Sequence, residues 1–322
     1  MNLNVFWFIF NLFWLILTYF WSSSITYNII EYSVIDALFD WLIDPAKRTH
    51  YGYWLSSLVV ALIWALWALP ERGHYLKVFL EKGYWFNQST LQDYLLVFFN
   101  RGLFILLGIP WLILTLDIML FTIDFWQMFG EVQENKVSGP WVITVYTLIV
   151  FLLDDVTRYG LHRVMHRFDF LWRIHQLHHS ASTLTPLTTL RLHPLESVLY
   201  QVRSSLVHGV CAGSSFFFLG FQADSWQMWG ATVWVIAFNI LGANLRHCHI
   251  PFHYGKLENV FISPSQHQAH HGVKTMNKNY GAVLSIWDRI GGSWRSGKKE
   301  YQLPLQAQPL IKQLLLRHIS WK

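Results

Sequence analysis

Long apolar stretches alternate with shorter polar segments along this chain. The apolar stretches lie at residues 5–21, 51–70, 102–121, 140–153, 206–221 and 226–243. A helix needs about 20 predominantly apolar residues to cross the hydrocarbon core of a bilayer. The stretches at 140–153 and 206–221 are short for a full crossing and are typical of tilted or half-inserted helices. The pattern predicts an all-α protein, an integral membrane bundle of about four to six transmembrane helices.

The composition supports the same class of protein. Hydrophobic residues make up 53% of the chain and charged residues only 13%, whereas soluble domains are about 25% charged. The stretch at 5–21 has no basic segment before it and no small-residue cleavage site after it, so we interpret it as a retained helix. The two cysteines, Cys211 and Cys248, exclude a disulfide framework and a CxxC metal site.

Charge divides the polar segments into two groups. Residues 158–205 and the residues from 244 onward are basic, whereas 22–50 and 122–139 carry more acidic than basic side chains. The positive-inside rule places the basic segments in the cytoplasm, with six spans and both termini inside. Contact with anionic lipid headgroups accounts for the net charge of +5, so no nucleic acid partner is expected. We predict N-terminal transmembrane helices at 1–139, a catalytic domain at 140–300 and a cytoplasmic tail at 301–322.

Thirteen of the sixteen histidines lie between His162 and His271, and all of these except His208 are in the basic segments. One HxxxH and two HxxHH boxes place their imidazoles on single helix faces: His162 and His166; His175, His178 and His179; His267, His270 and His271. Eight imidazoles exceed the four ligands of one zinc ion and suit two transition-metal ions with nitrogen-rich coordination. Few carboxylates lie nearby in the sequence. Asp154, Asp155, Asp169 and Glu196 are candidates for orienting the imidazoles through hydrogen bonds.

With these motifs, residues from about Asp154 to Trp294 resemble the fatty acid hydroxylase/sterol desaturase superfamily of membrane di-iron oxygenases. The matching segments are DDVTRYGLHRVMH, LWRIHQLHHS, TTLRLHPLE, NLRHCHIPF, SPSQHQAHHG and NYGAVLSIWDRIGGSW. The resemblance implies ten metal ligands, namely the eight box histidines and two more. We favour His247 and His249 for these two over His253 and His193. Asp155 and His193 are then candidates for supporting roles around the ligands.

The resemblance also implies a chemistry. Two iron ions and O2 as co-substrate would hydroxylate a C–H bond of a membrane lipid such as a fatty acyl chain or a sterol. Desaturation, C-4 demethylation-type oxidation and aldehyde cleavage share the same metal ligands and stay open, as do the lipid and the oligomeric state. A metal transporter is the rival class, but it would show ionisable residues in mid-membrane. The predicted spans have only Asp117 and Arg101, near their ends.

The electrons for this chemistry are expected from another protein. The chain has neither a GxGxxG nucleotide motif nor four cysteines for an iron–sulfur cluster. We therefore expect a ferredoxin-like or cytochrome b5-like donor with its reductase. A basic surface for docking is expected at Arg289, Arg295, Lys298 and Lys299, although binding of anionic lipid explains those residues equally well.

Overall fold

The computed structural model describes residues 39, 42–43, 49–68, 77–107, 111–133, 139–220, 237–298, 302–304 and 308–317. Its helices are α1 Tyr51–Ala68, α2 Lys82–Trp85, α3 Gln88–Leu107, α4 Trp111–Gln127, α5 Pro140–Arg167, α6 Asp169–His179, α7 Pro194–Leu219, α8 Pro264–His270, α9 Ile286–Ile290 and α10 Leu310–Leu314. Short 3-10 helices form at Pro186–Leu190, Ala243–His247 and Gly255–Asn259. Within the described residues there is no β-strand, only an isolated antiparallel bridge between Phe261 and Leu284. The predicted all-α class is confirmed.

The apolar stretches agree with the helices only in part. The stretch at 51–70 corresponds to α1, whereas 140–153 and 206–221 are halves of the longer helices α5 and α7. The predicted span at 102–121 is wrong, because it crosses the end of α3 at Leu107 and the start of α4 at Trp111. The intervening sequence contains Pro110, which lacks the N–H that a continuous helix needs. The stretch at 5–21 and residues 226–236 lie outside the described residues.

One described helix has both the length and the hydropathy of a membrane span. This helix is α3, with 20 residues, and the apolar part of α1 at Tyr51–Trp64 is shorter. The six spans predicted from hydropathy therefore stay a prediction.

Helices α4 and α7 form the most extensive helix pair among the described elements. Glycines make this close approach possible. A β-carbon at Gly213 would lie 2.5 Å from the Met119 carbonyl oxygen, and one at Gly209 would lie 2.8 Å from that of Thr115. Two side-chain hydrogen bonds join the same helices, from Thr115 Oγ1 to Ser205 Oγ at 3.0 Å and from Trp126 Nε1 to Ser214 Oγ at 3.0 Å. Small residues with interhelical hydrogen bonds are typical of helix packing in membranes.

A sharp corner brings α6 back against α5. Phe168 is extended, at φ −105° and ψ 124°, and it separates the two helices. Helix α8 begins with a capping box in which the Ser263 hydroxyl accepts a hydrogen bond from the Gln266 N–H. The histidine-bearing ends of α5, α6 and α8 therefore converge.

Described residues of the predicted C-terminal tail pack against α6. The Ser180 hydroxyl donates to Gln313 Oε1 at 2.6 Å, and Gln176 Nε2 donates to the Arg317 carbonyl at 2.8 Å. Helix α10 thus supports the helix that carries the second histidine box.

Candidate metal centre

Nine imidazoles from four elements meet in two clusters. The first cluster combines the end of α5 with α6 and α8, and the second combines α6, the Ala243–His247 turn and α8. The ligand nitrogens in each cluster lie within 4.8 Å of one another. The first cluster contains His162, His166, His175, His179 and His270, and the second contains His178, His247, His267 and His271. All are buried except His166, which is half-buried.

Backbone carbonyls determine which ring nitrogen faces inward. Nδ1 of His162 lies 2.8 Å from the Tyr280 carbonyl oxygen, and Nδ1 of His270 lies 2.7 Å from that of Lys278. Nδ1 of His178 lies 3.2 Å from the Arg191 carbonyl oxygen. Because a carbonyl oxygen can only accept, Nδ1 carries the hydrogen in each ring. In the neutral rings Nε2 therefore presents a lone pair.

These lone pairs face each other across short distances. Nε2 of His162 lies 2.9 Å from Nε2 of His270, and in the second cluster His247 Nε2 lies 3.3 Å from His178 Nε2. Two acceptors at such distances repel unless a cation lies between them. The donor set thus fits transition-metal ions, whose ligands are deprotonated imidazole nitrogens.

The pKa of eight of these nine imidazoles lies below the usual value for histidine. Burial first, and then neighbouring His175, lower the pKa of His162 to about 3, and burial lowers the pKa of His175 to about 3. Burial first, and then the surrounding imidazoles, hold the pKa of six more rings well below the usual value: His166, His178, His179, His267, His270 and His271. A neutral ring is the form that ligates a metal ion.

Glu196 is the carboxylate that orients an imidazole. Its Oε1 lies 2.8 Å from His175 Nδ1, and both side chains are almost fully buried. Burial also raises the pKa of the Glu196 carboxyl well above its usual value. A carboxylate on the outer nitrogen of a ligating histidine fixes the ring and increases its basicity.

Other predicted site residues lie elsewhere. His249 is outside both clusters, and its ring packs edge-on against Tyr84 with centroids 4.7 Å apart. His253 packs near Trp64, with centroids 6.0 Å apart. His193 caps α7, where its Nδ1 accepts from the Leu195 N–H at 3.2 Å. The extended backbone at Cys248, at φ −148° and ψ 175°, separates His249 from His247.

Asp155 anchors a neighbouring segment and contacts no imidazole in any described hydrogen bond. It accepts from the backbone N–H groups of Val283 and Leu284 at 2.8 and 3.0 Å, and from Trp287 Nε1 at 2.8 Å. This holds the segment that follows Tyr280, whose carbonyl orients His162.

Sequence reasoning missed a buried ion pair beside the second box. Arg191 and Asp93 are both fully buried, with Arg191 Nη1 donating to Asp93 Oδ1 at 2.8 Å. Arg191 also donates to Gln92 Oε1 at 2.6 Å, while its carbonyl accepts from His178. The pair therefore ties α3 to a cluster histidine. In the sequence, an acidic residue within a largely apolar stretch is unusual, and Asp93 could have indicated this buried pair.

A cavity of about 350 Å³ lies beside both clusters. His162 and His175 of the first cluster line it, as do three histidines of the second cluster, His178, His247 and His267. Arg101, Arg158 and Arg246 also line it, together with Glu196 and uncharged polar side chains. A molecule in this cavity would contact both groups of imidazoles.

The fold and these clusters define a helical protein with a buried, histidine-rich site compatible with metal ions. Residues 147–293 match the fatty acid hydroxylase family. This match supports the resemblance to the fatty acid hydroxylase superfamily that is seen in the sequence.

Curated relatives share the same region. Ornithine lipid hydroxylase of Rhizobium tropici is 26% identical over 48% of this chain and 44% of its own length. Alkylglycerol monooxygenase of Homo sapiens is 31% identical over 49% of this chain and 32% of its own. Very-long-chain aldehyde decarbonylase of Oryza sativa subsp. indica is 30% identical over 49% of this chain and 57% of its own. The similarity thus spans between one third and three fifths of these relatives, and no solved structure matches the chain.

Proposed function

We propose that this protein is an integral membrane oxidoreductase that uses two iron ions and O2 to hydroxylate a C–H bond of a lipid. The observation that carries the proposal is the pair of imidazole clusters with facing Nε2 atoms. The relatives support lipid oxidation, since they include an ornithine lipid hydroxylase and an alkylglycerol monooxygenase.

Each cluster would hold one metal ion. Nitrogen-rich coordination with open positions suits iron that must bind O2, although zinc also binds imidazole and has the higher affinity in the divalent series. When bound, the iron ions would supply the reducing site for O2. Oxygen insertion into a C–H bond consumes two electrons and two protons, giving an alcohol and water.

The protein's own residues hold the imidazole rings in the orientation that metal binding requires. Carbonyl groups of Tyr280, Lys278 and Arg191 fix three rings by accepting from Nδ1, and Glu196 fixes a fourth. Rings held in this way keep Nε2 aimed at the metal positions before any metal arrives. Burial of the clusters limits the access of bulk water.

The distribution of polar and apolar side chains supports membrane insertion. Leu106, Phe121 and Trp141 are 86%, 71% and 77% exposed, whereas Asp93 and Arg191 are fully buried. Large exposed apolar surfaces on helices are unusual for soluble monomers and typical of contact with lipid. We infer a multi-pass protein whose histidine boxes lie on the cytoplasmic face, where exposed Arg167 and Arg173 agree with the positive-inside rule.

A separate redox protein would supply the electrons. Arg289 and Lys298 are exposed and Arg295 is half-buried, while Lys299 lies outside the described residues. Such a surface suits an acidic ferredoxin-like or cytochrome b5-like donor, because complementary charge raises the association rate.

A different oxidation at the same metal ligands, such as aldehyde cleavage, is the second candidate. The relative named very-long-chain aldehyde decarbonylase favours it. Desaturation and C-4 demethylation-type oxidation belong to the same alternative.

Lipid extracts of cells grown under ¹⁸O2 test the proposal. Cells with the wild-type protein should contain a lipid that gains one ¹⁸O atom by mass spectrometry, and cells with His270→Ala should lack it. Loss of two hydrogens in place of oxygen gain would favour desaturation. Identical lipid profiles in both strains would contradict lipid oxidation.

A further inference from the structure

Two backbone carbonyl groups that orient rings of the first cluster lie on either side of a single residue. The Lys278 carbonyl accepts from Nδ1 of His270 at 2.7 Å, and the Tyr280 carbonyl accepts from Nδ1 of His162 at 2.8 Å. The Nε2 atoms of these two rings lie 2.9 Å apart. Asn279 joins the two carbonyl-bearing residues, so its backbone angles contribute to the direction of one carbonyl relative to the other.

Asn279 has a backbone conformation that most side chains avoid. Its φ is 57°, and among the described residues other than glycine only Leu316 also has a positive φ. The left-handed region is unfavourable for residues with a β-carbon, and asparagine is one of the few that enter it. Such conformations persist only where the surrounding structure enforces them, and they are concentrated at functional sites. Contacts around Asn279 must therefore maintain its left-handed backbone.

Hydrogen bonds hold Asn279 in this conformation. Its side chain is fully buried, with Nδ2 donating to the Gln266 carbonyl at 3.0 Å and Oδ1 accepting from the Arg295 N–H at 2.7 Å. Its own N–H donates to the Ser293 carbonyl at 2.9 Å. The residue is thus fixed to α8, which carries the third histidine box, and to the segment that follows α9.

A carboxylate fixes the backbone immediately after Asn279. Asp288 is fully buried, and its Oδ1 accepts from the Tyr280 N–H at 2.8 Å while its Oδ2 accepts from the Gly281 N–H at 2.7 Å. An amide in place of this carboxylate would set its own N–H group against a backbone N–H. The backbone of Tyr280 therefore has little freedom to turn its carbonyl away from His162.

We propose that Asn279 is a positioning residue of the first metal site, whose left-handed backbone aims the two flanking carbonyl groups at His270 and His162. The inference rests on the proposed function, because it takes the first cluster as a metal site. Both rings belong to that cluster, so the backbone of Asn279 should affect the first site and spare the second. Metal binding can be measured without iron, O2 or a lipid, so the two hypotheses can fail separately.

Titration of the full-length protein with cobalt(II) ions, in detergent and in competition with a chelator, measures the affinity of each site. Cobalt(II) binds the same nitrogen ligands as iron and zinc, and its visible absorption reports its coordination. His270→Ala removes a ligand of the first cluster and His267→Ala a ligand of the second. The binding step that each variant loses identifies the step of the corresponding site.

Asn279→Ala and Asn279→Gly separate the role of the backbone from that of the side chain. Both variants lose the same side-chain hydrogen bonds, but glycine enters the left-handed region without cost and alanine does not. In metal-free Asn279→Ala the segment can relax, so metal binding must restore the unfavourable conformation. The first site of Asn279→Ala should therefore bind cobalt(II) about tenfold more weakly than that of Asn279→Gly, with an altered visible spectrum. The second site should have the same affinity in both variants.

Two outcomes would overturn this assignment. One is equal first-site affinity in Asn279→Ala and Asn279→Gly, even with a lower unfolding temperature for Asn279→Ala, because a merely structural residue changes stability without changing one site. The other is a loss in Asn279→Ala that is the same at both sites. Asn259→Ala is the matched control, since its exposed side chain donates to the Lys256 carbonyl at 3.0 Å. It should leave both binding steps unchanged.

Asp288→Asn tests the same segment if Asn279→Ala does not fold. Its amide would oppose the N–H of Tyr280 or Gly281 and displace the Tyr280 carbonyl from His162. First-site affinity should again fall about tenfold, the usual effect of one unsatisfied buried donor, and second-site affinity should stay at the wild-type value. Unchanged first-site affinity would overturn the proposal. These effects on cobalt(II) binding without any oxidised lipid in cells would contradict the proposed function and leave the role of Asn279 standing.

Discussion

Single hydrogen bonds at Nδ1 determine what the Nε2 atoms can bind. His270 donates to the Lys278 carbonyl, and its Nε2 lies 2.9 Å from that of His162. Removing this imidazole deletes one ligand of the first cluster and leaves the second cluster intact. We expect purified His270→Ala, after iron loading, to contain about one metal ion less than the wild-type protein, as measured by elemental analysis.

His249 provides the matched control for that experiment. It has the same side chain, lies in the same polar region and is outside both clusters, against Tyr84. His249→Ala should therefore keep the wild-type metal content. Equal metal loss in the two variants would contradict the assignment of ligands. Fewer than one metal ion per chain in the loaded wild-type protein would contradict the two-metal centre itself.

At the residue scale, helical spacing predicted that the box histidines face one region, but not how they divide between the two clusters, since His178 and His270 each lie apart from the other histidines of their own box. Residues at i, i+3 and i+4 share a face whatever the rest of the chain does, and all eight box histidines fall in the two clusters. His249 does not follow from spacing, because the chain leaves its 3-10 turn at extended Cys248. The role of Asp155 could not be predicted from the sequence either, because it accepts hydrogen bonds from backbone N–H groups 128 and 129 residues away.

At the scale of elements, the close pairing of α4 and α7 depends on missing side chains. An alanine β-carbon at Gly213 would lie 2.5 Å from the backbone oxygen of Met119, so the helices would have to separate. We expect Gly213→Ala to lower the free energy of unfolding by about 1–3 kcal/mol, the usual cost of overpacking. Thermal unfolding in detergent measures the change.

Gly160→Ala is the control for this prediction. Gly160 also lies inside a helix, but a β-carbon there would meet no described atom within 4 Å. The substitution should stabilise the helix by up to about 1 kcal/mol, because alanine loses less conformational entropy than glycine. The packing argument is refuted if Gly213→Ala unfolds at the same temperature as Gly160→Ala.

The Arg191–Asp93 pair joins α3 to the second cluster. Both side chains are fully buried, and the Arg191 carbonyl orients His178. Asp93→Asn leaves a buried guanidinium without its counter-charge, which costs about 3–5 kcal/mol. We expect a large loss of stability in denaturant unfolding and weaker metal retention.

Glu131→Gln tests whether the loss of stability in Asp93→Asn comes from the burial of the charge that is removed. Glu131 is exposed, so removing its charge should change stability by no more than about 0.5 kcal/mol. Comparable destabilisation by Asp93→Asn and Glu131→Gln would argue against a special role of the buried pair.

Hydropathy predicted that helices exist but not where all of them end. The average hydropathy over residues 102–121 does not show that one helix ends at Leu107 and the next begins at Trp111. The polar residues at the start of α3 also lower its average hydropathy, so Gln88–Leu107 was not predicted as one helix. Among its buried polar residues, Gln92 and Asp93 accept from Arg191, and the Ser89 hydroxyl accepts from the Ser182 N–H. Tertiary hydrogen bonds of this kind have no signal in a hydropathy profile.

At the scale of the whole molecule, many large apolar side chains of the described residues are exposed, whereas the imidazole clusters and the Arg191–Asp93 pair are buried. In the proposed orientation, the centre has the membrane on one side and receives electrons from a donor on the other. Exposed Arg289 and Lys298 follow the third box in sequence, and charge there would guide an acidic donor. Anionic lipid is the competing partner for the same residues.

Charge reversal distinguishes these partners. Lys298→Glu combined with Lys299→Glu should slow turnover with a ferredoxin or cytochrome b5 donor and spare turnover with a small chemical reductant, because only the protein donor needs to dock. The difference in turnover rate between the variant and the wild-type protein should become smaller as ionic strength rises, because salt screens the attraction between the wild-type protein and the donor. Equal loss with both reductants would contradict docking at this surface. Full activity of the pure enzyme with NADPH alone would remove the need for a partner.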